Sequence, residues 1–439
     1  MTLDSSTLRK FRRPAPDYAT YPAPDRFIEA YDAPALANWI TAGNAFGMRN
    51  GVTLEIRFPL TMRPIFGTKL DQHSGSHHDW YPHHLEREAR LAGQRVSQDT
   101  VIDSMHWSGS AGALAEGTQA RLLDVLRENF PFAASGAFSA DVNPLVAGSS
   151  TLARLRQAGA TRVEIGTPNL AGLSNDRIRW HERQARTSEL VQAARQEGMT
   201  SIGADLIYGD AEQTRSGVEA ALKNLLASEP DRITLRQSTP GKTAKDLSSQ
   251  LEMLRLCAAA LADAAYLCIG IDHFARAGDQ LAVAHRQGRL TRLPHGYAPR
   301  PSSTILALGP GAIGIAGPTY YQNHRNADDY CSALDRGALP VMRGLQLTPD
   351  DMVRRAIIHS FSTNLFVDIE VIETTHQLDF RSRFAAELQE LASFEAAGLL
   401  QMADGMITLA PSGYLMLGTL CLIFDSYARQ SKHSAPYPA

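Results

Sequence analysis

The sequence predicts an α/β protein: a partial (β/α) barrel with an N-terminal arm before it and a helical, winged-helix-like C-terminal domain after it. Two observations predict this. From residue 51 onward, apolar strand-like runs alternate with amphipathic helical patterns six or seven times. That implies a parallel sheet covered by helices, and it is more than a short doubly wound sheet needs. After about residue 344 the alternation stops, and helical patterns take over with one small hairpin among them.

Residues 1–50 are rich in Pro, Ala and Tyr (YATYPAPDRF). They read as an extended arm ending in a helix over about 34–42, with Pro34 at the first helical position, where a missing N–H costs nothing. The barrel spans 51–343. Its candidate strands are GVTLEIRF (51–58), VIDSMHW (101–107), GAFSADVN (136–143), TRVEIGT (161–167), SIGADLIYG (201–209), DRITLR (231–236) and YLCIGID (266–272). The intervening segments QARLLDVLRENF, SSTLARLRQAG, TSELVQAARQEG, SGVEAALKNLL and LSSQLEMLRLCAAALADA repeat Leu, Val and Ala every three or four residues, the stripe a helix needs to lie on a sheet. Gly159 and Gly198 stand just past two of these helices, where a left-handed C-cap ends a helix. Within 344–439, TPDDMVRRAIIHSFSTNL, FRSRFAAELQELASFEAAG and PSGYLMLGTLCLIFDSYARQ are helical, and LLQMADGMITL is two apolar runs joined by a turn.

Composition narrows the function classes. The chain has 439 residues, 44 % of them hydrophobic, and a formal net charge of -3 with acids and bases interspersed. No electrostatic footprint marks a nucleic acid or an anionic membrane as partner. The winged-helix-like segment lacks a basic stripe, so a packing or lid role is expected of it rather than DNA binding. Cys257, Cys268, Cys331 and Cys421 are scattered without CxxC spacing, which predicts reduced, buried residues rather than disulfides or a thiolate metal site. No apolar stretch follows the basic residues near the start, and no run of about 18 apolar residues occurs. A cytoplasmic protein with no membrane partner is expected.

In a parallel α/β barrel, functional side chains gather at the C-terminal ends of the strands. Those ends carry Glu55, Arg57, His106, Ser108, Asp141, Asn143, Thr167, Asp205, Tyr208, Arg236, Asp272 and His273. The set is polar and partly charged, which suits a polar ligand across the barrel top; an Asp in such a place also serves as a helix cap.

Seven segments make the reading specific: YATYP (18–22), GADLIYGDAEQT (203–214), IGIDHFAR (269–276), DQLAVAHRQGRL (279–290), LGPGAIG (308–314), YYQN (320–323) and LIFDSYARQ (422–430). In their order and spacing the chain resembles the oxygen-independent coproporphyrinogen III oxidases over residues 18–430. The resemblance implies a barrel of the radical S-adenosylmethionine (SAM) type. Members of that family oxidatively decarboxylate two propionates of coproporphyrinogen III, using a 4Fe–4S cluster held by three cysteines spaced CxxxCxxC after the first strand. By this resemblance Asp205, Asp141, Gly109 and Tyr208 belong to a SAM-like pocket. Arg276, Arg300, Asp272 and His273 are the candidate tetrapyrrole-binding positions.

The loop after the first strand departs from the family. In LEIRFPLTMRPIFGTKL, Thr61, Ile65 and Thr68 stand where the three cysteines belong. A threonine hydroxyl is a hard, weak ligand and isoleucine is none, so no 4Fe–4S cluster is expected. Glu55 and Arg57 replace Tyr and His, the run Ser108-Gly109-Ser110-Ala111-Gly112 replaces GGGTP, Gly166-Thr167-Pro168 replaces GVQ, and Arg300 replaces Gln, while Asp205 and DHFAR (272–276) are kept. Loss concentrated at one corner points to a family member without radical catalysis. It would bind a tetrapyrrole such as haem, or a SAM-like ligand, as carrier, sensor or partner of another haem-biosynthesis protein. Two other readings stand beside this one. The segment DQHSGSHHDWYPHH puts His73, His77, His78, His83 and His84 near Asp71 and Asp79. It reads as a solvated loop, as a pH-sensitive contact, as an axial haem contact or, through His73 and His77, as a site for zinc, nickel or iron and metal-assisted chemistry. The third reading is a barrel that only scaffolds protein contacts. Arg63, Arg236, Arg276 and Arg300 suit the carboxylates of a tetraacid tetrapyrrole, beside the plainer role of surface ion pairs.

Overall fold

A computed structural model describes residues 5–46, 51–58, 80–97, 99–109, 114, 116–166, 180–210, 213–238, 246–302 and 304–431. The arm contains α1 (Ser5–Phe11) and α2 (Ala33–Phe46), with Pro34 in the first turn of α2 as its sequence predicts. Six strand–helix units follow: β1 (Val52–Arg57), α3 (Trp80–Gly93), β2 (Ile102–Ser108), α4 (Glu116–Asn129), β3 (Phe132–Val142), α5 (Ser149–Gln157), β4 (Arg162–Ile165), α6 (Trp180–Gln196), β5 (Ser201–Tyr208), α7 (Arg215–Ala227), β6 (Arg232–Gln237) and α8 (Leu247–Asp263). The six strands pair in sequence order, every pair parallel. Gly159 and Gly198 end their helices at φ 104° and 79°, the left-handed cap expected of them.

The seventh candidate strand behaves differently. β7 (Tyr266–Gly270) turns back at Asp272, φ 54°, into β8 (His273–Arg276). It is β8 that pairs with β6, antiparallel, and β7 becomes the sheet edge. An apolar run specifies a strand but not its direction; here the tight turn sets the direction. Beyond α9 (Gln280–Arg286), a hairpin of β9 (Thr291–Leu293) and β10 (Gly296–Ala298) stands apart from the main sheet. β11 (Thr304–Leu308) then pairs parallel with the free side of β1. β12 (Ile313–Ala316), β13 (Thr319–Asn323) and, past α10 (Ala327–Asp335), β14 (Val341–Gln346) extend it antiparallel. Among the described residues the result is one open sheet of 12 strands with β14 and β7 at its edges. Its last strand runs across residue 344, where the sequence pattern changes.

The C-terminal part comprises α11 (Pro349–Asn364), β15 (Phe366–Asp368), α12 (Ile369–His376), α13 (Phe380–Arg383), α14 (Ala385–Ala396), β16 (Leu400–Ala403), β17 (Met406–Leu409), α15 (Leu417–Ile423) and α16 (Ser426–Ser431). The expected hairpin is present: Asp404 and Gly405 take φ 53° and 74° between the paired Ala403 and Met406, as a two-residue type I′ turn requires. No helix among the described residues is long and apolar enough to cross a membrane.

What positions the site is the two-residue period of the parallel strands. One face carries Leu54, Ile56, Trp107, Ala140, Val163, Ile165, Ile202, Leu206, Ile233 and Leu235, all buried in a single core with helix residues such as Leu85, Leu126, Leu152, Val191, Val218 and Leu254. Each such aliphatic burial is worth about 1.5–3 kcal/mol. The alternate positions are polar. In register across the sheet they are Glu55, His106, Ser139, Arg162 and Ser201, and one step higher Arg57, Ser108, Asp141, Glu164, Gly203 and Arg232.

Candidate functional site

The polar inner face is joined by hydrogen bonds, ion pairs and a ring stack. The β9–β10 turn brings in His295, whose Nδ1 lies 3.2 Å from Glu55 Oε2; the two side chains are 3 % and 4 % exposed. The His295 ring stacks on His106 with centroids 4.2 Å apart and planes 16° apart. His106 Nδ1 is 2.8 Å from Ser139 Oγ, and its Nε2 is 3.4 Å from Asp141 Oδ1. Burial pulls His295 below the ordinary histidine range, and His106 beside it adds to that. Burial pushes the Glu55 and Asp141 carboxyls up, but the histidines overcome it and hold both below the usual carboxylate range.

One step round the sheet, Arg236 Nε donates to Asp205 Oδ2 at 2.5 Å. Burial, with Glu164 and Asp141 nearby, nevertheless pushes the Asp205 carboxyl up to about 6 against that arginine. Gly166 leaves the room: a Cβ there would collide with the Asp205 carboxylate. Lower in the sheet, Arg232 is held by Glu164 and Asp279, each at 2.6 Å. The inner face over β3–β5 is thus a bed of carboxylates, of which burial holds Asp205 high, at about 6. Such a bed accepts hydrogen bonds from hydroxyl, ammonium or pyrrole N–H groups of a ligand.

The structure brings some sequence-predicted residues together and separates others. Asp141 and Gly109 meet, since the Gly109 N–H donates to the Asp141 carboxylate. Gly109 takes φ 83° where a Cβ would strike the Phe58 carbonyl, so only glycine fits. His273 also faces inward: its Nδ1 is 2.6 Å from the Ile271 carbonyl, its ring meets Tyr297 edge-on at 4.7 Å, and burial holds it well below the ordinary histidine range. Tyr208 faces the other way, in step with Leu206, and lies with Asp272 beside the arm's Arg12, whose Nη2 is 3.4 Å from the Asp272 carboxylate. Arg276 lies at the opposite end of the sheet, 3.2 Å from Glu229, and its N–H donates to the carbonyl of Asp231, just before β6. Arg300 is also at that far end, but the cavity of about 30 Å³ that it lines with Gly51 and Asp103, room for about one water, reaches His106, Ser139 and His295.

Thr61, Arg63, Ile65, Thr68, His73 and His77, with Ser110, Ala111, Gly112, Thr167 and Pro168, lie outside the described residues. His83 and His84 are on α3, rings 5.7 Å apart, with His84 Nε2 3.5 Å from Asp335. Among the described residues no group of three metal-ligating side chains converges. Sequence reasoning missed Arg162, Glu164 and Ser139, although the alternation in TRVEIGT carries a signal for the first two. It also missed His295, which carries none.

No protein-family profile matches the chain. Curated proteins named oxygen-independent coproporphyrinogen III oxidase do match. The one from Pseudomonas aeruginosa is 30 % identical, covering 97 % of this chain and 96 % of its own. The Escherichia coli one is also 30 % identical with the same coverage. The chain belongs to the oxygen-independent coproporphyrinogen III oxidase family. The solved structure of the Escherichia coli coproporphyrinogen III oxidase, described as a radical SAM enzyme, superposes with TM-score 0.84 at 27 % identity, covering 97 % of this chain and 99 % of that one. The partial-barrel fold expected from the sequence is therefore the fold of this family.

The donor set does not fit a cluster held by three thiolates after the first strand. Residues 59–79 contain no cysteine. The four cysteines sit on four separate elements, α8, β7, α10 and α15, all as free thiols. Burial pushes Cys257, Cys268 and Cys331 up to about 12 and Cys421 higher still, away from the thiolate form iron requires.

Proposed function

We propose that this chain is a coproporphyrinogen III oxidase-family protein that has given up cluster-dependent radical chemistry and kept its ligand chamber. In this reading it holds a tetrapyrrole of haem biosynthesis, or a SAM-like nucleoside, as a carrier, sensor or partner protein. One contrast carries the reading: the loop after β1 has no thiol, while the inner face beside it keeps a polar lining joined by hydrogen bonds and ion pairs. A chamber left to drift would fill with apolar side chains or lose its pairings, because unpaired buried charge is costly. Asp141 and Asp205 would receive the hydroxyl and ammonium groups of a nucleoside or the pyrrole N–H groups of a tetrapyrrole.

The test is anaerobic iron–sulfide reconstitution followed by titration with coproporphyrin III and, separately, SAM. The expected result is no stoichiometric cluster absorption, with saturable binding of one of the two ligands. A stoichiometric cluster overturns the loss of radical chemistry, and absence of binding by both ligands overturns the ligand role.

A further inference from the structure

Several guanidinium groups packed into this fold are neutralised by carboxylates: Arg232 by Glu164 and Asp279, Arg236 by Asp205, Arg354 by Asp350 and Glu387. Three arginines at the mouth of the chamber have no such partner among the described residues. Arg57 is the last residue of β1, Arg325 follows β13, and Arg343 lies on β14 opposite Gln322. They are organised around Gly311. Its carbonyl accepts from Arg57 Nη1 at 3.4 Å and from Gln322 Nε2 at 3.3 Å. The Gln322 Oε1 accepts from Arg343 Nε at 2.9 Å. A Cβ on Gly311, which takes φ 68°, would touch the Arg325 side chain at 3.3 Å.

Among the described residues none of the three has an acidic partner within ion-pairing distance. Arg325 is exposed, yet partial desolvation and then the charges of Arg343 and Arg57 draw its guanidinium below its usual range. Like charges gathered this closely repel one another, which costs stability. That cost is cancelled when an anion sits among them, and guanidinium forks match carboxylate oxygens two at a time. Because β13 runs in the same direction as β1, all three stand at the same end of the sheet as Asp141 and Asp205.

We propose that Arg57, Arg325 and Arg343 form a carboxylate-binding site at the chamber mouth, which takes acidic side arms of the ligand while its ring faces the carboxylate bed. This rests on the tetrapyrrole reading above, whose ligand class carries propionates. The site is separate from Arg276 and Arg300, which lie at the other end of the sheet.

The experiment uses the full chain, the double variant Arg325→Gln/Arg343→Gln, and Arg215→Gln on the outer helix α7 as a charge control. Three probes are titrated: coproporphyrin III, its tetramethyl ester, and citrate. The expected result is coproporphyrin binding that weakens about tenfold per arginine removed, no effect of Arg215→Gln, and much weaker binding of the ester. Coproporphyrin binding equal in wild type and double variant overturns the arginine site and leaves the tetrapyrrole reading standing. Citrate binding that needs the two arginines, without coproporphyrin binding, upholds the carboxylate site and overturns the tetrapyrrole ligand. Binding of neither overturns both.

Discussion

Glu88 on α3 is 1 % exposed. Its carboxyl accepts from the Gly309 N–H and Asn323 Nδ2, both at 2.7 Å, and from the Tyr330 hydroxyl at 2.5 Å. Even with three donors, burial pushes it up to about 7. The folded state therefore holds this proton more tightly than the unfolded chain. The stability it contributes is complete below the unfolded value near 4.5 and is lost as pH rises to about 7, a swing of roughly 3 kcal/mol. Glu88→Gln is expected to flatten that part of the profile. Thermal midpoints of both proteins between about pH 4 and 8 check it, and parallel curves would refute the assignment. Residues of this kind were not legible in the sequence. Glu86 and Glu88 look alike there, and the partners of Glu88 lie 221 to 242 positions away. Glu55 and His295 are 240 apart. Strand ends name half of such a pair; only the folded chain supplies the other half.

At the scale of elements, local pattern was a good guide wherever one strand or helix buries one face. β1 to β6 and their helices are legible because parallel strands bury an apolar face and helices bury a stripe. The antiparallel borders were not, since a short run such as β9 or β12 has too few residues to show a period. The β9–β10 hairpin shows what that omission hides. Tyr297 on β10 accepts from the Ile271 N–H at 3.0 Å and donates to the Ser362 carbonyl at 2.9 Å, joining the hairpin to the β7–β8 turn and to α11. Tyr297→Phe removes one oxygen, leaves no cavity of note, and strands a part-buried N–H and a buried carbonyl. The expected loss is roughly 1–3 kcal/mol, read from chemical denaturation. A loss below about 0.5 kcal/mol would mean that water replaces the hydroxyl.

At the scale of the whole molecule, the order of barrel, arm and helical C-terminal part was readable, but the way they are fastened was not. The arm is the fastener. α1 packs on α8. Arg13 N–H donates to Thr419 Oγ1 at 2.9 Å, and the Tyr18 hydroxyl donates to Asp425 at 3.2 Å. Arg12 reaches both bodies at once, donating to the Leu415 carbonyl at 2.6 Å and lying 3.4 Å from Asp272 at the β7–β8 turn. Arg12→Met keeps most of the packing and removes the shared cation. Leu415 then has an unpaired buried carbonyl. Asp272, with its side chain 23 % exposed, recovers part of its hydration, so the expected cost is roughly 2 kcal/mol rather than that of a fully buried pair. The effect should be local. Hydrogen exchange is expected to quicken in the arm, around residues 411–423 and in the β7–β8 turn, with β1 to β5 unchanged. Equal acceleration across β1 to β5 would instead make Arg12 part of the global core, and the arm would no longer be a clamp between barrel and C-terminal helices.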